Sequence, residues 1–288
     1  MITTTTSAAV KASYDIVPLP ASVSMQKGTP FMLSSATRIV YTGSDEAMKR
    51  NAQFLADYLA QTTGIKLSTN AASGKAQKNT ITICTDSKMG EEAYRISVDK
   101  KGIVITGGSA KGVFYGIQTL RKSMPVGEQT DCIELSPVRI DDQPRFGYRG
   151  MMLDCSRHFF TVDFIKKYLD LMAMHNMNVF HWHLTDDQGW RIEIKKYPRL
   201  TSVGSKRSGT IVGFNSMVDD QREYGGFYTH DQAREIVEYA RQRYITIIPE
   251  IDMPGHMKAA LAAYPELGCT GGPYEVGHRW GIYLDVLC

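Results

Sequence analysis

Residues 181–191 read "HWHLTDDQGWR": two histidines two apart, two adjacent aspartates, then a tryptophan and an arginine. Three chemistries use such residues. On a strand, side chains alternate, so His181 and His183 share a face. Some barrel hydrolases hold zinc with such a pair, and Asp186 and His256 would be candidate further ligands. A histidine beside an aspartate can instead orient or tune another acid. An aspartate and an arginine converging on a pocket can also fork onto vicinal hydroxyls, the arginine donating and the carboxylate accepting. Trp190 or Tyr228 could then stack on a sugar face. No further H-x-H or HExxH pattern supports the metal reading, and two hydrogen-bonded histidines inside a strand end account for the pair more simply.

Two other clusters resemble this one in placement. "DCSRHFF" (154–160) offers Arg157 and His158. "EIDMPGHM" (250–257) offers Asp252, then a Pro254–Gly255 turn that brings His256 back toward the same end. Asp187 joins Asp186 where the middle strand turns into its loop. Each cluster follows a short apolar run that reads as a strand: "RGMMLDC", "NVFHWHLT" and "ITIIPEI". Helical patterns lie between them. In "TVDFIKKYLDLMAMHNMN" the stripe is Ile165, Tyr168, Leu169 and Met172. In "THDQAREIVEYARQRY" it is Ala233, Ile236, Val237 and Ala240, with Thr229 and Gln232 spaced as a capping box.

Strand, helix, strand, helix, strand in series predicts right-handed crossovers and a parallel sheet. Polar clusters at the C-terminal end of every strand favour a (β/α) barrel. The absence of a Gly-rich loop after the first strand counts against a nucleotide-binding doubly wound sheet. A barrel needs eight strands and about 250 residues. From residue 149 the chain supplies three strands and stops in "GIYLDVLC", so an incomplete (β/α)8 TIM barrel is expected.

Residues 14–143 read as an α+β unit of alternating strands such as "TRIVY" and "NTITICT". One helix runs from a cap at Ser44 to Gly64, and another carries Val113, Ile117, Leu120 and Met124 up to Pro125. No chemical constellation appears there. "DDQPRFGYRG" (141–150) has linker character. The expected organisation is a polar, disordered leader (1–13), a non-catalytic α+β domain (14–143) and the first part of a barrel (144–288).

The 33 basic and 30 acidic residues are interspersed, giving a formal net charge of +3. Without a Lys/Arg tract, nucleic acid and anionic membranes are not expected partners. No apolar run approaches the ~20 residues of a membrane span. The five cysteines are scattered and form no CxxC pair, giving neither a disulfide framework nor a zinc cluster. "MITTTTSAAVKAS" lacks the basic and apolar regions of an intact signal peptide.

The ordered motifs "RGMMLDCSRHFF", "NVFHWHLTDDQGWRIEI", "YPRLT" and "IPEIDMPGHMKAALAAYPEL" resemble glycoside hydrolase family 20, the β-N-acetylhexosaminidases. "YDIVPLPASV" and "SAKGVFYGIQTLRK" are similar to the family's non-catalytic N-terminal domain. The resemblance covers the chain from about residue 14 onward. It implies cleavage of terminal β-linked N-acetylglucosamine or N-acetylgalactosamine from glycans, with retention and without metal or cofactor. The substrate's own acetamide acts as the nucleophile.

By the same resemblance Arg157 holds the sugar's outer hydroxyls, and Asp186 and His256 form a relay that tunes the general acid. Asp252 and Asp187 support the pocket, while His181 and His183 have no catalytic role. Export to a periplasm or cell surface is implied. The family's Asp-Glu pair lies in an H-x-G-G-D-E motif that is absent here. "DE" occurs only at Asp45–Glu46, so the pair is expected after Cys288 and this chain alone is expected to be inactive.

Overall fold

The computed structural model describes residues 9–288 except 44, 73–77, 128–129 and 215. Most of the polar leader and the cap position Ser44 thus lie outside the described residues, but the end of that leader is ordered, a correction to the expected disorder over 1–13: Val10–Lys11 pairs with Ile133–Glu134. The chain divides into two compact units, Met1–Gly147 with Met174–Asn176, and Tyr148–Ala173 with Met177–Cys288. Among the described residues no helix is long and apolar enough to cross a membrane.

The first unit contains strands β1 (Val10–Lys11), β2 (Ser22–Met25), β3 (Phe31–Ser34), β4 (Arg38–Tyr41), β5 (Ser68–Ala71), β6 (Thr80–Thr85), β7 (Tyr94–Asp99), β8 (Gly102–Gly107), β9 (Cys132–Leu135) and β10 (Val138–Asp142). Seven of them form one sheet in the order β2-β10-β7-β8-β6-β4-β5, and β1-β9-β3 form a smaller one. Helix α1 (Glu46–Thr63) is capped by Asp45, whose side chain accepts from the Ala47 amide at 2.8 Å. Gly64 stops it in the left-handed region at φ 82°. Helix α2 (Ala110–Ser123) buries Val113, Ile117 and Leu120, with Met124 just beyond its end. It lies close on the sheet at Gly116, where a Cβ would stand 2.6 Å from Ile105 Cγ2.

The second unit is built on three parallel strands, β11 (Gly150–Asp154), β12 (Val179–Asp186) and the later strand 246–251, with β12 in the middle. Along β12 the period of two decides which residues do what. Phe180, Trp182 and Leu184 are buried, Phe180 against Tyr168 and Trp182 against Tyr228. His181, His183 and Thr185 take the opposite face. The chain then turns in two residues, Asp187 and Gln188, into β13 (Gly189–Trp190), which pairs antiparallel with the end of β12. That hairpin was not anticipated from the sequence.

Helix α3 (Val162–Met174) follows β11 and buries Ile165, Leu169 and Met172. After α4 (Arg199–Ser202), β14 (Lys206–Arg207) pairs with β15 (Tyr224–Gly225). Helix α5 (His230–Arg241) begins with the capping box expected from Thr229 and Gln232. It buries Ile236 and Ala240, but Val237 is 49% exposed, a correction to the expected stripe. At 100° per residue Val237 is turned away from the line joining Ile236 to Ala240. β16 (Thr246–Ile251) and α6 (Lys258–Ala263) complete the regular elements, apart from one 3-10 turn at Pro265–Leu267.

Candidate active site

The polar clusters meet where β11, β12 and β16 end. Asp186, the last residue of β12, is 1% exposed. Its Oδ2 forms an ion pair with Arg157 Nη2 at 2.7 Å and lies 3.0 Å from His183 Nε2. Its Oδ1 accepts the Asp187 amide at 2.7 Å and lies 3.0 Å from His256 Nδ1. One buried carboxylate therefore gathers an arginine, two histidines and a backbone amide. Burial opposes its charge, but the bonds from His183 and the Asp187 amide, reinforced by Arg157 and His256, hold its carboxyl below the usual range.

Asp187, also 1% exposed, behaves in the opposite sense. Burial, and the neighbouring Asp186 charge, push its carboxyl up against the pull of the Lys258 amide. Its Oδ1 accepts that amide at 3.1 Å, and its Oδ2 lies 3.3 Å from His256 Nδ1 without a hydrogen bond. His256 reaches both carboxylates because the turn before it ends with His256 in the left-handed region, at φ 56°.

Arg157 sits on the loop after β11 and is oriented from several sides. Its Nη1 donates to Asp154 Oδ2 at 2.7 Å, and its Nε donates to Gln188 Oε1 at 3.2 Å. Asp154 and Gln188 were not singled out in the sequence. Asp154 could have been, since a strand-ending acid three residues before an arginine is well placed to pair with it. A cavity of about 670 Å³ opens beside this group, lined by Asp154, Arg157, His158, Gln188, Arg207, His256 and Trp280 among others.

Two expected ring contacts are not made. Trp190 and Tyr228 have no free face for a sugar. Tyr228 is fully buried, its ring against Phe159 and Trp182 and its hydroxyl donating to the Phe160 carbonyl. Trp190 packs with Leu200, Met257 and Ala259. The aromatic residue at the cavity is Trp280, 66% exposed and resting on Phe214. It lies in a stretch with no regular element, where no periodic pattern could have marked it. Asp252 is tied in by its backbone, its amide donating to Thr185 Oγ1 at 3.1 Å. Among the described residues its carboxylate makes no hydrogen bond or ion pair.

His181 and His183 do share a face, as their spacing predicts, but a carboxylate already bridges them. Glu250 Oε2, cross-strand from His183, lies 2.5 Å from His181 Nε2 and 3.1 Å from His183 Nδ1. Both nitrogens of His183 thus face carboxylates, leaving no lone pair free for an ion. Among the described residues, the atoms that could gather a metal belong to Asp186, Asp187 and His256, all within 4.8 Å of one another.

The His183 ring has a pH consequence. Burial lowers its pKa, but Asp186, Asp154 and Glu250 together raise it above the ordinary 6.5. The stability it contributes is complete below about pH 6.5 and is lost as pH rises through the raised folded value. Urea unfolding at about pH 5 and about pH 9 should show this fall in the wild-type chain and a smaller fall in His183→Gln. Equal falls would remove His183 from the account.

Behind the cavity Arg191 is wholly buried, and among the described residues its guanidinium donates only to main-chain carbonyls. Nearby, Arg207 donates from Nη1 to the Arg157 carbonyl at 2.7 Å and lies over the Tyr224 ring. Burial, with Arg207 close by, brings the Arg191 pKa down to about 10.

Barrel-type strands with a carboxylate, arginine and histidine converging at their C-terminal ends define a class of (β/α) hydrolase site. The comparisons narrow the class. The model for glycosyl hydrolase family 20, catalytic domain, matches residues 146–286, and that for domain 2 of the same family matches 13–143. A β-hexosaminidase from Porphyromonas gingivalis is 44% identical over 281 residues, covering 95% of this chain and 34% of that protein. Streptomyces plicatus N-acetyl-β-hexosaminidase in complex with thio-NAglucal superposes with TM-score 0.82 at 37% identity, over 95% of this chain and 52% of that one. A variant of the Streptomyces plicatus β-hexosaminidase, solved with its product GlcNAc, gives TM-score 0.82 at 36% identity, over 96% of this chain and 53% of that one. The chain belongs to glycosyl hydrolase family 20, and β11, β12 and β16 are strands of its TIM barrel. It spans between a third and about half the length of these relatives.

Proposed function

We propose that this chain carries the sugar-holding part of a β-N-acetylhexosaminidase, which removes terminal β-linked N-acetylglucosamine or N-acetylgalactosamine from glycans. The observation that supports it most is Arg157, fixed by Asp154, Asp186 and Gln188 at the edge of the cavity. In this reading its remaining donor capacity meets the sugar's outer hydroxyls. Asp186 and His256, 3.0 Å apart, form a relay that orients a general acid, while Asp187 through its side chain and Asp252 through its main chain support the loops around it.

The reaction in this reading is retaining and substrate-assisted. The acetamido oxygen attacks the anomeric carbon while a glutamic acid protonates the departing oxygen, and water then opens the oxazolinium ring. The Asp-Glu pair for these steps is not among the 288 residues, where "DE" occurs only at Asp45–Glu46. Loss of a general acid typically costs about 10²–10⁴-fold in rate. The purified, folded chain should therefore release no detectable aryl alcohol from an aryl N-acetyl-β-glucosaminide. Clear turnover would show that an acid within these residues suffices and would overturn the inference that the catalytic acid lies outside them, while supporting the hexosaminidase activity itself. Export to a periplasm or cell surface accompanies this reading.

A further inference from the structure

The cysteines have no motif in sequence, yet two of them meet in the fold. After the 3-10 turn at Pro265–Leu267, Gly268 pairs antiparallel with Leu287. The Cys288 amide donates to the Leu267 carbonyl at 3.0 Å, and the Leu287 amide donates to the Pro254 carbonyl at 2.9 Å. This short ladder sets Cys269 and Cys288 one residue beyond the Gly268–Leu287 bridge on its two segments, with Cys269 Sγ 4.0 Å from the Val286 carbonyl. Both are exposed, whereas Cys155 is buried, and Cys84 contacts Thr106 within the first unit.

We propose that Cys269 and Cys288 form a disulfide that closes the loop between them and fixes one wall of the cavity. The loop places His278, Arg279, Trp280 and Ile282 on the cavity. It has neither helix nor strand of its own. Its ties to the strand ends include the Gly277 amide donating to the Asp187 carbonyl at 2.8 Å, Gln188 Nε2 donating to the Arg279 carbonyl at 3.0 Å, and Lys258 Nζ on Asp285 at 2.8 Å. A cross-link at its base restricts the open conformations such a loop can reach.

The chemistry needs a low-molecular-weight disulfide as oxidant. One cysteine thiolate attacks a sulfur of oxidised glutathione, giving a mixed disulfide and one glutathione thiolate. The second cysteine thiolate then displaces the other glutathione. Two protein thiols are oxidised, one oxidised glutathione is reduced to two thiols, and the protons lost by the cysteines are taken up by the glutathione thiolates.

The folded chain equilibrated in an oxidised glutathione buffer, alkylated and cut with trypsin gives a direct readout. Cleavage after Lys258 and Arg279 puts the two cysteines in different peptides. The expected result is one linked pair, 259–279 joined to 280–288, that disappears on reduction. Cleavage of the native chain after Arg279 should also be on the order of tenfold slower when oxidised than when reduced, as local opening is suppressed. Cys288→Ser should abolish that difference. Recovery of both cysteines alkylated, in mixed disulfides or in intermolecular dimers would overturn the proposal, as would equal cleavage rates for the oxidised and reduced chains. Neither readout depends on sugar binding, so the cross-link and the proposed function stand or fall separately.

Discussion

Arg191→Met is expected to lower the unfolding free energy by about 3–5 kcal/mol, the range for removing one partner from a buried charged network. The Arg191 guanidinium donates to the carbonyls of Cys155, Ser156, Ser205, Gly226 and Gln188. A thioether of similar length satisfies none of them, and each buried orphan carries its own desolvation cost. The site is shaped to the arginine: a Cβ on Gly189 would stand 2.2 Å from its guanidinium carbon. Cys155 and Ser156 lead directly into Arg157, so the cavity should loosen together with the unit. Urea titration of Arg191→Met beside Arg234→Ala measures this. Arg234 pairs with Asp231 in full view of solvent, and its loss should leave the midpoint unchanged. A similar small effect from both variants would contradict the role given to Arg191.

Asp186→Asn is expected to cost about 2–4 kcal/mol while keeping the side chain's shape. Both carboxylate oxygens already face donors or histidine nitrogens: the Asp187 amide and His256 on one, Arg157 and His183 on the other. An amide must turn its NH₂ toward one of these pairs. The lower part of that range is favoured because the Arg157 side chain is 38% exposed and water can screen its lost partner. The sign of the pH effect follows from the depressed Asp186 carboxyl. Its contribution is present above about pH 3.8 and lost as pH falls through its lower folded value. Acid unfolding of Asp186→Asn should therefore lack that part of the wild-type decline. An unchanged acid limb would mean that Asp186 is not the shared acceptor.

What the sequence disclosed follows from what chain period and order can encode. The period of two along 179–186 set His181 and His183 on one face and Phe180, Trp182 and Leu184 on the other. The succession of polar strand ends put Arg157, Asp186 and His256 in one neighbourhood. Contacts across strands were hidden, because register is not written in either strand alone. Glu250 therefore went unnoticed between the two histidines, and Arg191 read only as the end of a motif. Aromatic identity does not tell which ring the fold will cover, so the sequence pointed to Trp190 and Tyr228 and left Trp280 unmarked. Cys269 and Cys288 were invisible as a pair for a related reason. They are joined by a bridge between irregular segments, which no periodic pattern announces.

In the proposed function the cavity beside Arg157 takes a terminal N-acetylhexosamine. The most direct test of this is a titration of N-acetyl-D-glucosamine into the folded chain, followed by protein NMR, for the wild type and Arg157→Ala. Saturable shifts are expected at the cavity residues in the wild type. The affinity of the variant should be weaker by about 1.5–3 kcal/mol, roughly tenfold or more. No saturable binding by the folded wild type, or equal binding by both chains, would contradict that function.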